Sequence, residues 1–322
     1  MKKSIIAMAV AGALAVPAIA SADATLYGSL RGTVQKADNN KVDTNNVGSR
    51  LGVRGTVDLG LQDTVGIYQV EFRFDPVGSG TGQLVGDNSV TRGGNSYLGA
   101  TGSWGTALLG NLDHPTESVD IVTDMTTFYD GTLTDNYADD AVTNTLAYVT
   151  PDMSGFQVTL GTVIAGGEKT AGSPDASNID GYQVGATYSG VENLNLLAAY
   201  GRLSKNTNLA ASNQNKWAVG AEYTVGPVDL AAKYTRVKIK SDTAPNVTDK
   251  SYGVAGKYNI NETLSAALSY TTLKEGDAKR GKATGLEVAN TLGQGSIAAG
   301  YIDYNRAAGQ NDVFYVGYRL NF

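Results

Sequence analysis

The sequence contains no cysteine among its 322 residues. A chain of this size without cysteine does not depend on disulfides, and neither thiol catalysis nor a cysteine-ligated zinc site is possible. Positive charge is also scarce, since 25 Lys and Arg stand against 31 Asp and Glu for a net charge of −6. This balance argues against a nucleic-acid partner.

Long hydrophobic runs are missing as well. The apolar run at residues 4–16 follows Lys2 and Lys3 and precedes the small residues Ala20 and Ala22, a pattern typical of a secretory signal peptide. Beyond it, no run reaches the roughly 18 apolar residues that suggest a transmembrane helix. We therefore expect a cleaved signal peptide at 1–22 and a mature domain at 23–322. An N-terminal membrane anchor is the alternative.

Apolar and polar residues alternate with a period of two along most of the remaining chain. Near the start, for example, Leu26 and Val34 share one face while Tyr27 and Arg31 share the other. About 16 such segments are joined alternately by short turns and long polar loops, the pattern of an outer-membrane β-barrel. The sequence therefore predicts an all-β fold, a transmembrane antiparallel barrel of about 16 strands with an aqueous lumen. A soluble β-sandwich or a propeller is the alternative.

Four short motifs carry a family resemblance. They are DATLYGSLRG (23–32), SRLGVRG (49–55), GTALLGN (105–111) and YVGYRLNF (315–322). Taken in order and at this chain length, the sequence resembles the general porins of Gram-negative outer membranes. The resemblance implies a homotrimer, passive diffusion of small hydrophilic solutes and ions, and a third long loop folded into the lumen. Asn111 departs from the pattern, because family members often carry a basic residue there.

Arginines recur on the polar face of the first three predicted strands. The candidate pore-lining basic residues are Arg31, Arg50, Arg54 and Arg73. Guanidinium groups on neighbouring strands need water or an anionic counterpart, so we expect them in the lumen, where they would set a transverse field. The alternative is a set of solvated residues that pair with Glu71 and Asp58. Lys233, Lys257 and Arg319 are further candidates.

The segment 112–141 is the longest predicted loop, and it contains no Lys or Arg. Its length indicates a functional loop. We predict that it forms an acidic constriction loop facing the arginines, with the residues Asp113, Glu117, Asp120, Asp124 and Asp130. An acidic surface loop is the alternative. The segment lacks the spacing of a calcium-binding loop, and the sequence predicts no metal site and no cofactor.

His114 is the only histidine, and it lies beside Asp113 and near Ser118. Three residues so close in sequence do not readily converge as base, orienting acid and nucleophile, so we expect no enzymatic activity.

The alternatives to a general pore are a substrate-specific channel with a saturable constriction site and a structural or adhesive barrel. Ion selectivity stays open. The acidic loop and the net negative charge favour cations, towards which the balance leans, whereas the arginines favour anions.

The sequence ends on an alternating stretch without a polar tail. Phe314, Val316 and Tyr318 fall on the face that we expect to meet outer-membrane lipid. We expect this last strand to pair with residues 24–35, so that the barrel has no open edge. By resemblance, the stretch carries the signal that the barrel-assembly machinery reads, with the residues Tyr315, Gly317, Leu320 and Phe322.

Overall fold

The computed structural model describes residues 23–78, 90–129, 137, 142–164, 179–204, 212–240, 245–276, 278–305 and 311–322. The predicted signal peptide and Asp130 lie outside these residues. Within the described ranges, no helix combines the length and the apolarity that crossing a membrane requires.

Most of the regular structure is β-strand. The strands are β1 (Asp23–Ala37), β2 (Val42–Asn46), β3 (Arg50–Leu61), β4 (Thr64–Phe74), β5 (Val90–Gly93), β6 (Ser96–Gly102), β7 (Gly105–Leu112), β8 (Val142–Val149), β9 (Phe156–Ile164), β10 (Ile179–Tyr188), β11 (Leu194–Leu203), β12 (Asn213–Val225), β13 (Val228–Lys240), β14 (Val247–Asn259), β15 (Leu264–Glu275), β16 (Ala278–Leu292), β17 (Gly295–Tyr304) and β18 (Val313–Asn321). Within the described residues there is also a helix, α1 (Pro115–Asp120), which continues into a 3₁₀ turn (Ile121–Thr123).

The strands form one closed antiparallel barrel. β2 and β3 pair in succession with β1, and β5 and β6 pair in succession with β4, so each couple is a single barrel strand with an interruption. The remaining neighbours pair in chain order, and β18 returns to β1. The result is a barrel of 16 strands, which confirms the predicted fold class. Closure pairs the backbone groups that lipid could not solvate.

The two faces of the barrel differ as the alternation predicts. Outward side chains are large, apolar and exposed, as at Leu26, Val34, Leu98 and Trp217. Side chains between them point to the lumen and include buried polar groups such as Lys216. An apolar exterior around a polar interior is the arrangement that a bilayer requires of a barrel.

The connections differ in length at the two ends of the barrel. Two residues each join β3 to β4, β6 to β7, β12 to β13 and β16 to β17. At the opposite end the connections after β4, β7, β9 and β11 are long, although two residues join β15 to β16 there. Short turns lie on the periplasmic side of such barrels and long loops on the extracellular side, which fixes the orientation of the chain in the membrane.

The seam between β1 and β18 is closed up to the last residue. Gly28 N donates to Phe322 O at 2.9 Å, and Phe322 N donates to Gly28 O at 3.1 Å. A Cβ at position 28 would lie 2.5 Å from the Phe322 ring, so this approach requires glycine. The terminal aromatic ring therefore covers the seam on the outward face.

Candidate functional site

Five arginines follow one another across neighbouring strands on the lumen face. Arg31 of β1 lies directly opposite Arg319 of β18. Arg50 of β3 lies opposite Ser29 of β1, two residues before Arg31. On the other side of β3, Arg50 lies opposite Arg73 of β4. We call this surface the arginine wall; its members are Arg31, Arg50, Arg54, Arg73 and Arg319. The register thus brings the four predicted arginines together and adds Arg319 to them.

A one-residue bulge sets the orientation of the arginine wall. Gly32 pairs with Asn46, and Ser29 pairs with Arg50. Between these two pairs β1 spans three residue steps, whereas the chain opposite it spans four. The extra residue lies within 47–49. Because side chains alternate across a strand, one extra residue exchanges the lumen face and the lipid face of everything that follows. Without the bulge, Arg50 and each second residue after it would face lipid.

Ser49 fills the gap that the bulge leaves in the hydrogen-bond ladder. Its hydroxyl accepts from the backbone N–H of Arg31 at 2.8 Å and donates to the backbone oxygen of Arg31 at 3.2 Å. Ser49 is completely buried. The Nε of Arg31 donates to the Ser29 hydroxyl at 3.2 Å. Two serines therefore fix both the backbone and the guanidinium of Arg31.

Uncharged groups also hold two other members of the arginine wall. The Nε of Arg319 donates to Asn321 Oδ1 at 2.9 Å. The Arg54 guanidinium lies 5.1 Å from the centre of the Tyr27 ring, close enough for a cation–π interaction. Neutral partners of this kind orient a guanidinium without cancelling its charge.

Glu71 is the acidic residue that lies within the arginine wall, and it is buried. Arg50 Nε lies 3.7 Å from its Oε2, which also accepts from the Tyr27 hydroxyl at 3.0 Å. Glu71 is 4% exposed, whereas the Arg50 side chain is 41% exposed. A solute in the lumen therefore meets the guanidinium of this pair rather than its carboxylate.

Residues 113–129, which we call the inner segment, pack against the lumen faces on the far side of the closed barrel. α1 and the 3₁₀ turn contact β10 to β14. His114 caps α1, with its Nδ1 accepting from Thr116 N at 3.2 Å. A Cβ at Gly201 of β11 would overlap the His114 ring, so the strand leaves room for the segment. The apolar contact consists of Val119, Val122, Leu197, Ala199 and Ala218.

Two buried lysines hold the inner segment at Asp120. Lys216 Nζ of β12 donates to Asp120 Oδ2, and Lys233 Nζ of β13 donates to the backbone oxygen of Asp120. Lys233 Nζ also lies 3.9 Å from Asp120 Oδ1. Lys216 is 0% exposed and Lys233 is 5% exposed. Ammonium groups buried to this extent need such partners. We call the two residues the lysine anchor.

A second anchor holds the end of the inner segment at β16 and β18. Thr127 N and Phe128 N donate to the Glu287 carboxylate at 2.5 and 3.3 Å, and the Tyr315 hydroxyl donates to it at 2.7 Å. The Phe128 ring covers Gly317, where a Cβ would lie 2.7 Å from the ring. Glu287 is buried, so its charge is satisfied by these donors rather than offered to the lumen.

The last described residues of the inner segment reach the strands of the arginine wall. The Tyr129 hydroxyl donates to Gln35 Oε1 at 2.8 Å. The carboxylate of Asp124, which is exposed, interacts electrostatically with Arg31 and Arg319. The segment thus follows the lumen wall from β10 to β1 and carries one carboxylate to the arginines.

A sequence model of the family described as Gram-negative porin matches residues 7–289. The chain belongs to this family. It is 27% identical to outer membrane porin protein 32 of Delftia acidovorans over 296 residues, and 26% identical to major outer membrane protein P.IB of Neisseria gonorrhoeae over 305 residues. Both alignments cover 84% of this chain and 79% of the relative.

A solved structure with the same fold is the anion-selective porin from Comamonas acidovorans. The TM-score is 0.70 at 16% identity, and the match covers 94% of this chain and 100% of that chain. Family and fold together confirm the predicted location and activity. The protein is an outer-membrane porin whose barrel lets small hydrophilic solutes and ions diffuse through a water-filled channel.

The structure corrects the predicted role of Asp120 in this porin. Its carboxylate is paired with Lys216 on the barrel wall, instead of facing the arginines. The physical reason is that α1 turns this side of the inner segment toward β12 and β13. Asp124 is the predicted acid whose charge acts on the arginine wall.

Two of the other three predicted acids fall within the described residues. Asp113 is exposed, and its Oδ2 accepts from Asn95 Nδ2 at 2.5 Å. Glu117 lies in the first turn of α1 and is half-buried. Asp130 falls outside the described residues, so its place in the constriction stays a prediction.

Sequence reasoning missed two residues that hold the inner segment. Lys216 and Glu287 are charged residues on lumen faces where their neighbours are small. The alternation could have found them, because outward Trp217 makes Lys216 inward, and outward Leu286 makes Glu287 inward. The sequence does not predict which groups Lys216 and Glu287 bind, because their partners come from a distant loop.

His114 serves as a buried helix cap. Burial, and to a smaller extent the charge of Lys216, lowers its pKa from 6.5 to about 3. The ring packs edge-on against Tyr137 with 5.4 Å between ring centres. Among the described residues, no group of three or more His, Asp or Glu side chains could hold a metal ion.

Proposed function

We propose that this porin passes small anions more readily than cations, and that the inner segment narrows the lumen against the arginine wall. One observation carries the proposal. Three acids on the lumen side, Glu71, Asp120 and Glu287, are taken up by partners, while the side chains of Arg50 and Arg54 remain open to water. The expected preference for cations rested on a count of charges, and such a count does not show which charges are paired.

The pairing of these three acids supports the anion preference. Glu71 is held by Arg50 and Tyr27, Asp120 by the lysine anchor, and Glu287 by backbone N–H groups. A pair buried in this way adds little net potential to the lumen. Exposed guanidiniums in a narrow, low-dielectric passage raise the local concentration of anions. The Comamonas porin with the same fold is named anion-selective.

The reversal potential of the reconstituted porin across a KCl gradient tests this proposal. We expect the sign that corresponds to a chloride current larger than the potassium current. Lys36→Gln, which removes an exposed charge from the outward face of β1, is the control and should leave the potential unchanged. A cation-selective potential in the unaltered protein would overturn the proposal.

A saturable solute site in the constriction is the alternative, and the same preparation tests it. A general pore should show conductance that rises in proportion to salt concentration. Block by a low concentration of one organic anion would instead reveal a specific site. Loss of that block in Arg54→Gln would place the site at the Tyr27–Arg54 stack.

We also propose that the porin is a homotrimer, because it shares the family and fold of trimeric porins. The signal peptide 1–22 and the assembly role of Tyr315, Gly317, Leu320 and Phe322 belong to the same proposal. The mass of the native complex in detergent tests the homotrimer, and the N-terminal residue of the purified protein tests the cleavage of residues 1–22. If the terminal residues act in assembly, a chain lacking Phe322 should assemble more slowly and should conduct normally once inserted.

We propose that the porin has no enzymatic activity. Its single histidine is buried, its Nδ1 accepts from Thr116, and its pKa of about 3 leaves little basicity for catalysis. Hydrolysis of a lipid or peptide substrate that disappears in His114→Asn would contradict this proposal.

A further inference from the structure

The Glu71 side chain lies in a hollow of the barrel wall between two glycines. Gly52 of β3 lies directly opposite Glu71, and Gly94 lies between β5 and β6, on the other side of β4. A Cβ at position 94 would overlap Glu71 Oε1 and would lie 2.8 Å from the Cγ and Cδ atoms of that side chain. A Cβ at position 52 would overlap the Tyr27 ring, whose hydroxyl binds Glu71. We call the space between Gly52 and Gly94 the glutamate hollow.

Three hydrogen bonds hold the backbone of Gly94 against that of Glu71. Gly94 N donates to Glu71 O at 2.8 Å, and Glu71 N donates to the Ser96 hydroxyl at 3.1 Å. On its other side, the backbone oxygen of Gly94 accepts from Asn111 Nδ2 at 2.8 Å. The floor of the hollow is therefore fixed, whereas the glutamate side chain can rotate about its own single bonds. If the hollow were filled, the carboxylate would move before the backbone did.

The glutamate hollow keeps Glu71 from pairing fully with Arg50. Arg50 Nε lies 3.7 Å from Glu71 Oε2, whereas a charge-assisted hydrogen bond of this type spans about 2.7–2.9 Å. Within the part of the chain that the structure describes, no group donates a hydrogen bond to Glu71 Oε1. A carboxylate that could move freely would accept two parallel hydrogen bonds from the guanidinium. Glu71 is thus held back in the wall, and Arg50 stays 41% exposed to the lumen.

We infer that Gly94 is a specificity-determining residue of the channel, because the space that it leaves keeps the Glu71 carboxylate away from the lumen and from Arg50. The inference rests on the proposed anion preference and names a residue that maintains it. A side chain at position 94 would expel the carboxylate from the hollow. The outward face of β4 meets lipid, where a charge is costly, so the carboxylate would move into the lumen beside Arg50. There its charge would offset that of the guanidinium for passing ions.

The reversal potential of Gly94→Ala in a KCl gradient tests this inference. We expect its chloride-to-potassium permeability ratio to fall several-fold, about as far as in Arg50→Gln, because either change takes one cation out of action on solutes. Gly256→Ala is the matched control, since a Cβ at this strand glycine would lie at an ordinary 3.5 Å from Leu230. The control should keep the permeability ratio of the unaltered porin.

A second pair of variants separates the charge at position 71 from its shape. Glutamine has the size of glutamate without its charge, so Gly94→Ala/Glu71→Gln should have the same permeability ratio as Glu71→Gln alone. A fall of the same size with and without the carboxylate would overturn the inference, because the added methyl group would then act on the wall itself. An unchanged ratio in Gly94→Ala would overturn it as well.

Chemical labelling of carboxylates tests the hollow without reference to selectivity. A water-soluble carbodiimide and a small amine convert accessible carboxylates to amides, which mass spectrometry of peptides locates. In the unaltered porin, exposed Asp124 should be labelled and Glu71, which is 4% exposed, should be protected. In Gly94→Ala both should be labelled.

The labelling also decides the inference where other results fail. Equally fast labelling of Glu71 and Asp124 in the unaltered porin would overturn the inference, even if Gly94→Ala does not assemble. A cation-selective unaltered porin would contradict the proposed anion preference instead. In that case the labelling, and the change in permeability ratio that Gly94→Ala causes, would still show whether Gly94 holds the carboxylate back.

Discussion

The arginine wall and the lysine anchor carry the same sign of charge on two sides of one lumen, yet they do different work. The guanidiniums of Arg50 and Arg54 are open to water, whereas Lys216 is completely buried against Asp120. Exposure decides the difference, because a buried charge is cancelled by its partner and a solvated one acts on passing ions. We propose that the porin uses one set of cations for solutes and the other to hold the inner segment.

The largest effect is expected when the lysine anchor is broken. Lys216→Met leaves the Asp120 carboxylate without its closest cation, and removal of one partner from a buried pair typically costs about 3–5 kcal/mol. We expect faster hydrogen exchange across residues 114–123, a noisier open channel, and a weaker anion preference. The double variant Lys216→Met/Asp120→Leu, which replaces the pair by apolar groups, should restore slow exchange. Unchanged exchange in the single variant would show that the anchor is not needed.

Acid should loosen the same region through His114. The packed histidine has a pKa of about 3 against 6.5 when released, so packing is fully favourable above pH 6.5 and weakens as the pH falls toward 3. The loss is about 1.4 kcal/mol per pH unit. Hydrogen exchange of residues 114–123 measured from pH 7 downward should therefore accelerate beyond its intrinsic rate. In His114→Asn, which keeps a capping acceptor without a titrating ring, this additional acceleration should disappear.

A smaller effect is expected at the second anchor. Glu287→Gln turns an oxygen that accepts backbone N–H groups into an amide that donates, and an unsatisfied buried polar group costs about 1–3 kcal/mol. The channel current should fluctuate more. Hydrogen exchange should be faster at residues 124–129 and should change little at residues 114–120. Tyr315→Phe removes a single donor to the same carboxylate and should give a milder version. Equal loosening of both stretches would mean that the two anchors act as one unit.

The smallest effect is expected at the bulge behind the arginine wall. Ser49→Ala removes the hydroxyl that pairs with both backbone groups of Arg31 and should cost about 1 kcal/mol. Thermal stability should change little, while the anion preference should fall because Arg31 is held less firmly. Ser49→Thr keeps the hydroxyl and should recover the preference. A fall in stability with unchanged selectivity would give Ser49 a structural role only.

Much of the fold could be predicted because its main determinant is local. The two-residue period at Leu26 to Val34 and the alternation of turn lengths are written in neighbouring residues, and they were enough for a barrel of about 16 strands. The arginines of the first strands were placed in the lumen on the same basis. A likeness to general porins in the terminal YVGYRLNF supported the family.

The arrangement inside the lumen was less accessible, because it depends on contacts between distant parts of the chain. Asp120 and Lys216 are 96 residues apart, and Glu287 meets Thr127 across 160. Charge counting therefore took Asp120 for a pore-facing acid. The bulge at 47–49 was also missed, although the shift of apolar residues from Val42 to Leu51 changes their parity along the strand. Only the register with β1 shows where the extra residue is absorbed.

The most direct test compares the reversal potentials of two double variants in the same salt gradient. Arg50→Gln/Arg54→Gln removes two exposed charges from the arginine wall, and Lys216→Met/Asp120→Leu removes a buried pair without changing net charge. The account predicts that the first variant moves several-fold toward cations in its permeability ratio, while the second keeps the anion preference of the unaltered porin. Equal shifts in the two variants, or a shift in the second alone, would contradict it.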